Sequence, residues 1–456
     1  MPSMPRKEQK TESVLQKTTL KGHRGAVNCV AHSSSVRTNR TSSGTSSCYL
    51  LSGSDDGTAR LWDLRSQRAA LCILAPACED GTKEVTSVAF HPAGGDSIDT
   101  KTDDLDGTSE AKGYAKNMSA YLSVGSSVYG YDLRNAVSPI IREYDSDLSG
   151  ALECQDEVNQ IAFSFPRKGS NSGNTAYIAA ANDLGDVRVA SDIVPARASP
   201  ESRSKTKKTI QRCRVLQHAE DGAAMATCTA FRPRSSGLDL ASGGTDCAVR
   251  LWDVMKPRRP SCSMQIASDD AGAAQVCNPP MAFDLSWSPS GKFLAAGLGD
   301  GTASILFMQG RSMLEKCRLR GGHSSSIASV LFPAFGCESS SHVAANDRLL
   351  ISAGSDGAIM FWDLGADVAG NNAVDPSSWL VGSDVRTSNI DQDLAALALN
   401  DKKSQHQQQA RILFGIPHNE KINFVTSSKS NEPVLPSSLF VADTSCDITA
   451  YIVARK

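Results

Sequence analysis

The chain has 456 residues, 40% of them hydrophobic, enough to build a sizeable core. Lys+Arg at 47 against Asp+Glu at 49 leave a formal charge of −2, which excludes a globally basic protein drawn to nucleic acid or acidic lipid. The chain lacks a run of about 18 apolar residues and its polar start, Met1–Lys10, lacks an apolar signal stretch, so neither a spanning helix nor Sec export is expected.

In chain order, the first well-patterned elements are Ala26–His32, Cys48–Ser54, Thr58–Leu64 and Ala70–Pro76. Each is a short run rich in β-branched or apolar residues with period-2 character, as expected of strands. An Asp-Asp-Gly turn separates the second from the third. The same grammar returns as EVTSVAFHP…SAYLSVGSSVYGYDLR, DEVNQIAFSFP…AYIAAANDLGDVRVA and LQHAEDGAAMATCTAFRP…LDLASGGTDCAVRLWDV (216–254). It continues as MAFDLSWSPSGKFLAAGLGDGTASILF, GGHSSSIASVLFP…LLISAGSDGAIMFWDL (321–364) and EKINFV…SLFVADTSCDITAYIV. That makes seven units, and none contains a capped helical pattern.

The interval from His23 to Trp62 equals that from His323 to Trp362, and His218 precedes Trp252 by slightly less. A Gly-His followed by a Trp-Asp in units of about 40–45 residues resembles the WD-repeat β-propeller family. The resemblance implies an all-β fold: one closed seven-bladed propeller. Its units are about 21–76, 83–144, 156–194, 213–267, 281–319, 320–366 and 410–453. In this family the N-terminal segment often closes the ring, a role that falls to 14–20, leaving 1–13 as a flexible start.

Seven units of about 40 residues use roughly 280 residues. The rest is polar and poor in aromatics: Ser33–Ser47, Gly94–Met118, Arg167–Thr175, Pro195–Arg212, Pro257–Pro280, Ala334–Asn346 and Gly365–Gln409. These read as flexible insertions, the longest at 366–409. With blade strands named a to d from the axis outward, six of the seven interrupt an a–b or c–d connection, so most insertions should crowd one face. Pro257–Pro280 plausibly also fills a d–a link.

The resemblance makes His23, Ser52, Asp56 and Trp62 a hydrogen-bonded tetrad, repeated by His218, Ser242, Asp246 and Trp252 and by His323, Ser352, Asp356 and Trp362. A Ser-His-Asp set also suggests a hydrolase. Against that, the set occurs three times, its Ser lies within a strand, and no Gly-x-Ser-x-Gly surrounds it, so a structural role is expected. Gly297-Leu-Gly-Asp-Gly301 looks like a dinucleotide loop, but no helix follows it, and it reads as a b–c turn with Asp300 as its turn residue. Asp103, Asp104 and Asp106 lie in an insertion without partners.

The 13 cysteines include no Cys-x-x-Cys, and Cys29, Cys48, Cys72, Cys228 and Cys446 fall inside apolar strand-like runs. They read as small core residues in a reducing compartment, cytoplasm or nucleus or both, where the sequons at Asn39 and Asn117 would go unused. No metal-ligand spacing or catalytic constellation is present, so no metal, cofactor or enzymatic activity is expected. The basic stretch Arg203–Arg212 beside Ser199-Pro200 is either a weak nuclear-localisation or nucleic-acid patch or, more simply, a solvated loop.

Leu50–Arg65 ends in Trp62-Asp63-Leu64-Arg65 and resembles the 16-residue box of WD-repeat substrate receptors for cullin-4 ubiquitin ligases. The four box positions are Asp56, Trp62, Asp63 and Arg65. The next unit ends Tyr131-Asp132-Leu133-Arg134, keeping Asp132 and Arg134 but with Tyr131 and Gly125 in place of the box Trp and first Asp. This resemblance implies adaptor docking through Asp63, Arg65, Asp132 and Arg134, two guanidinium forks emerging beyond strand c in neighbouring blades. The opening Glu84–Phe90, the Tyr-Asp-Leu-Arg ending, NDLGDVRV at 182–189, Phe231-Arg232-Pro233 and the tail after Ile416 resemble one subfamily of WD-repeat proteins. That subfamily stands among proposed receptors for the adaptor damaged-DNA-binding protein 1. The functional expectation is a monomeric, non-enzymatic scaffold within a protein complex, docking the ligase adaptor and a substrate, with no membrane, nucleic-acid or small-molecule partner. The alternative is a plain scaffold or peptide/histone reader.

Overall fold

The computed structural model describes residues 17–33, 49–76, 81, 83–92, 119–133, 138–142, 152–164, 176–192, 213–219, 222–235, 238–257, 259–268, 278–335, 347–365, 410–428 and 438–453. After β1 (Lys17–Lys21), blade one is β2 (Val27–His32), β3 (Tyr49–Ser54), β4 (Thr58–Asp63) and β5 (Arg68–Leu74). Blade two is β6 (Val85–Phe90), β7 (Ser119–Val124) and β8 (Ser127–Asp132), and the two-residue β9 (Ile140–Ile141) follows. Blade three is β10 (Val158–Phe163), β11 (Ala176–Asn182), β12 (Asp186–Asp192) and β13 (Arg214–Gln217). Blade four is β14 (Ala226–Phe231), β15 (Asp239–Gly244), β16 (Ala248–Asp253) and β17 (Cys262–Gln265), and blade five is β18 (Ala282–Trp287), β19 (Phe293–Leu298), β20 (Ala303–Gln309) and β21 (Ser312–Leu319). Blade six is β22 (Ile327–Leu331), β23 (Leu349–Gly354), β24 (Ala358–Asp363) and β25 (Arg411–Pro417). Blade seven is β26 (Ile422–Ser428), β27 (Ser438–Asp443) and β28 (Asp447–Ile452), with β1 antiparallel to β28 as its outer strand. The protein is an all-β seven-bladed propeller without helices among its described residues.

Several sequence boundaries are corrected by strand pairing. Arg214–Gln217 and Arg411–Pro417 are outer strands of blades three and six, so the units drawn from 213 and 410 begin one strand early. The repeat as written in sequence is out of phase with the sheet because a short outer strand carries little pattern of its own. Within Pro257–Pro280 lies β17, which pairs with β16. Ile140–Ile141 does not join blade two; it lies parallel to β5 of blade one, with Cys72 N–H donating to Pro139 O at 2.8 Å. Glu153 bridges Ser127 beside β8 instead. Cys446 is exposed in the β27–β28 turn rather than inside a strand, while Cys29 and Cys228 are buried. Residues 1–16, 34–48, 93–118, 134–137, 193–212 and 366–409 lie outside the described residues, and with them most of the insertions, both sequons, Cys48, Arg134 and the basic stretch.

Blades pack through apolar faces, and each interface has its own cluster. Leu51, Leu61, Leu71 and Ile73 of blade one meet Val85, Leu122, Val124 and Tyr131 of blade two. Close approach requires a small residue on β3: a Cβ on Gly53 would lie 2.5 Å from Val85 Cγ1. The b–c turns need a left-handed residue, supplied by Gly57 and Gly357 (φ 75° and 73°). Blade four has Cys247 there, at φ 59°.

Every innermost strand carries a bulge at the same place, marked by Asn28, Thr86, Asn159, Thr227, Phe283, Ala328 and Asn423. A polar bulge residue donates to the first carbonyl of the following blade. Asn28 reaches Val85 O at 3.3 Å, Thr86 reaches Val158 O at 2.6 Å, and Asn159 reaches Ala226 O at 3.1 Å. Thr227 reaches Ala282 O, and Asn423 closes the circle on Val27 O at 2.9 Å. Phe283 and Ala328 have no group to donate.

Candidate functional site

Strands alternate direction, so the d–a and b–c connections share one face and the a–b and c–d connections the other. The tetrads lie toward the first face, between blades' b and c strands and the preceding d–a loop. Trp62 Nε1–H donates to Ser52 Oγ at 2.8 Å, Ser52 meets His23 Nε2 at 2.7 Å, and His23 Nδ1 meets Asp56 Oδ2 at 3.0 Å. Indole can only donate, so the protons run Trp to Ser to His to Asp. Trp362, Ser352, His323 and Asp356 repeat this at 2.8, 2.7 and 3.1 Å. In blade four the ring presents its other edge: His218 Nδ1 meets Ser242 at 2.7 Å and Nε2 meets Asp246 at 3.1 Å, while Arg250 adds a 2.6 Å ion pair to Asp246.

Burial acts to raise the Asp56 carboxyl, but hydrogen bonds from His23, Thr58 and the Arg24 N–H outweigh it and hold the group far below the usual carboxylate range. Burial likewise opposes, and His218 and Arg250 overcome, a shift that leaves Asp246 at about 2. Ser52, Ser242 and Ser352 are fully buried, so no substrate carbonyl can reach their hydroxyls. Each set ties the d–a loop to strands b and c of its own blade.

A fourth set escaped the sequence reading. In blade seven, Tyr451 lies opposite Leu439 as Trp62 lies opposite Leu50, and its hydroxyl meets His418 Nδ1 directly at 2.9 Å. His418 Nε2 meets Asp443 Oδ2 at 2.7 Å. Val441 occupies the serine place, so the phenol spans what a serine relays elsewhere. The available signal was spacing, since His418 precedes Ile422 by the same step that separates His23 from Val27. Tyr451→Phe is expected to leave His418 Nδ1 buried without its donor and to cost about 1–3 kcal/mol. A lowered urea midpoint with unchanged slope is the measurement that checks it.

The opposite face carries the proposed docking residues. Asp63, Asp253 and Asp363 each cap the turn after strand c by accepting the N–H two residues on, from Arg65 at 2.9 Å, Met255 at 3.1 Å and Gly365 at 2.9 Å. The residue so anchored differs. Arg65 in blade one is exposed, and in blade two the chain Asp132-Leu133-Arg134 places an arginine at the same step. Asp132 ends β8 half-buried, whereas Arg134 lies outside the described residues. Asp253 is engaged by Arg311 at 3.1 Å, and Asp363 by Arg348 and by Arg411 at 3.3 Å; Asp63 has no ion pair among the described residues.

Comparison with known proteins agrees with this architecture. The family model "WD domain, G-beta repeat" matches residues 15–63, 211–253 and 280–305. The matched segments carry WD repeats, and the fold around them is the seven-bladed β-propeller described above. Along 94% of its length it is similar to the WD repeat-containing protein 53 homolog of Dictyostelium discoideum, at 25% identity and covering 92% of that protein. A shorter match, 30% identical over 104 residues, covers 22% of the chain and 31% of WD repeat-containing protein VIP3 of Arabidopsis thaliana. The Myceliophteria thermophila Cps50 (Swd1) β-propeller domain superimposes with a TM-score of 0.55 over 96% of this chain and 100% of that one, at 13% identity, a likeness of fold.

Proposed function

We propose that this WD-repeat scaffold is a substrate receptor of a cullin-4-type ubiquitin ligase, acting in the cytoplasm or nucleus and docking the adaptor damaged-DNA-binding protein 1 through the β4–β5 turn. The observation that carries the reading is the Asp63–Arg65 turn. A buried tryptophan fixes its start, Asp63 caps it, and an exposed guanidinium stands on the resulting rigid base. Such a fork can engage a carboxylate or paired carbonyls of a partner. The strand-end motif of blade two, with Asp132 and Arg134, supports a two-blade footprint. The length-wide similarity to a WD repeat-containing protein 53 homolog fits the same reading.

The opposite face favours a second partner, the substrate. There Met225 is 45% exposed, and Phe283, 37% exposed, stands at the bulge position where blades one and three have the polar pairs Asn28–Asp55 and Asn159–Asp183. The decisive test measures binding of purified adaptor to the wild-type chain and to Arg65→Ala/Arg134→Ala, with the variant's melting temperature unchanged. Loss of at least tenfold in affinity, about 1.4 kcal/mol, is expected. Equal binding by both, or by neither, would make the chain a scaffold without this ligase link.

A further inference from the structure

Behind the bulges runs a second ring of contacts, and its least ordinary member is Asp284 on β18. Ser87 Oγ accepts from Ile161 N–H at 3.1 Å, Gln160 Oε1 from Thr229 N–H at 2.7 Å, and Ser329 Oγ from Val425 N–H at 3.4 Å. Each links one innermost strand to the next. At the corresponding place in blade five stands a carboxylate that is 3% exposed. Asp284 Oδ2 accepts from Val330 N–H at 2.9 Å and Ser329 Oγ–H at 2.8 Å. Oδ1 accepts from Leu285 N–H at 2.9 Å and from Gln160 Nε2–H at 3.1 Å. Gln160 belongs to blade three, so the contact passes over blade four.

A buried carboxylate ordinarily has a cation beside it. This one has none on the strands packed around it. β10, β19 and β22 carry no titratable side chain, β14 carries only Cys228, and β15 carries only Asp239, which is paired with Arg232 at 3.4 Å. Cys228 is a neutral thiol, kept protonated by burial, with Asp284 raising it further.

We propose that Asp284 is a proton-operated clasp joining the inner strands of blades three, four, five and six. Ionised, it satisfies four donors. A proton on Oδ2 makes that oxygen a donor toward Ser329, which can turn to accept it, but Val330 N–H then faces a hydroxyl. A proton on Oδ1 is matched only if the Gln160 amide turns over, which swings Oε1 away from Thr229 N–H. One route leaves Val330 N–H with the weaker acceptor of a hydroxyl and the other takes the acceptor from Thr229 N–H, so protonation loosens the ring at Thr229 or Val330.

Burial pushes the Asp284 carboxyl up to about 6, its hydrogen bonds offsetting only part of the rise. A folded-state value above the ordinary 3.8 means that this residue's stabilising contribution is present below about pH 4 and is lost as pH rises through about 6. Acidification thus opens the clasp locally without lowering global stability through Asp284. His32 and His218, both lowered by burial, act oppositely on the whole fold as pH falls below their ordinary 6.5.

The test is therefore local: amide exchange at Thr229 and Val330, corrected for intrinsic pH dependence, at pH 7.5 and pH 5. In the wild type, protection at one of the two should drop at least fivefold, and in Asp284→Asn it should be independent of pH. A carboxyl carbon titration of the wild type, which needs no variant, should give a midpoint near 6 for Asp284. Protection that stays flat in the wild type, an equal drop in the variant, or a midpoint below about 4.5 would overturn the proposal.

Discussion

Trp62→Ala is expected to lower the unfolding free energy by roughly 3–5 kcal/mol, a large share of the roughly 5–15 kcal/mol available to a folded domain. Trp62 is fully buried among Leu20, Val27, Val30, Leu50, Phe440 and Ile448, so it fills the interface between blades seven and one. Its ring lies so near the d–a loop that a Cβ on Gly22 would sit 3.0 Å from Cη2, and His23 meets it edge-on at 6.1 Å. The alanine leaves a cavity, and it also removes the donor to Ser52. Trp62→Phe loses the same N–H but leaves a much smaller cavity, so its expected cost is lower, about 1–3 kcal/mol. Urea midpoints of both variants check this. Equal losses for Ala and Phe would mean that the hydrogen bond, not the packing, carries Trp62.

Features written within one unit were legible in the sequence. The Gly-His and Trp-Asp spacing, the Asp-Gly turns and the period-2 strands are local, and the hydrogen bonds of the three tetrads run among the residues that the family resemblance grouped. Outer strands were less legible, because their placement depends on a neighbour. Ile140–Ile141 is two residues long and crosses to blade one; β25 returns to blade six only after a long insertion. In blade seven three changes disguise the tetrad together: tyrosine for tryptophan, Val441 for serine, and Asp443 two residues earlier than the usual turn aspartate. Asp284 reads in sequence as one polar residue within an alternating strand; its buried partners come from β10 and β22. Arg65 was visible for the opposite reason, since the Trp-Asp-Leu-Arg run fixes its turn without help from other blades.

Removing residues 1–21 is expected to be the most damaging truncation of the fold, although it takes away only one described strand. β1 pairs with β28 from Lys17 opposite Tyr451 to Lys21 opposite Asp447, and it places Leu20, 2% exposed, in the same cluster as Trp62. Losing about 2 kcal/mol of leucine burial and several ladder hydrogen bonds of about 1 kcal/mol each amounts to roughly 4–6 kcal/mol. The loss also bares the edge of β28, a template for pairing with another chain. The truncated protein should therefore melt well below the full chain and elute partly as oligomers. Leu20→Ala should show a smaller loss of roughly 2–3 kcal/mol, without oligomers, because it empties the cluster but keeps the ladder. If the truncation melted within a degree or two of the full chain, closure would rest on the inner strands instead, where Asn423 already ties blade seven to Val27 O at 2.9 Å. In that case the inner rings, not the borrowed outer strand, would set the propeller's stability.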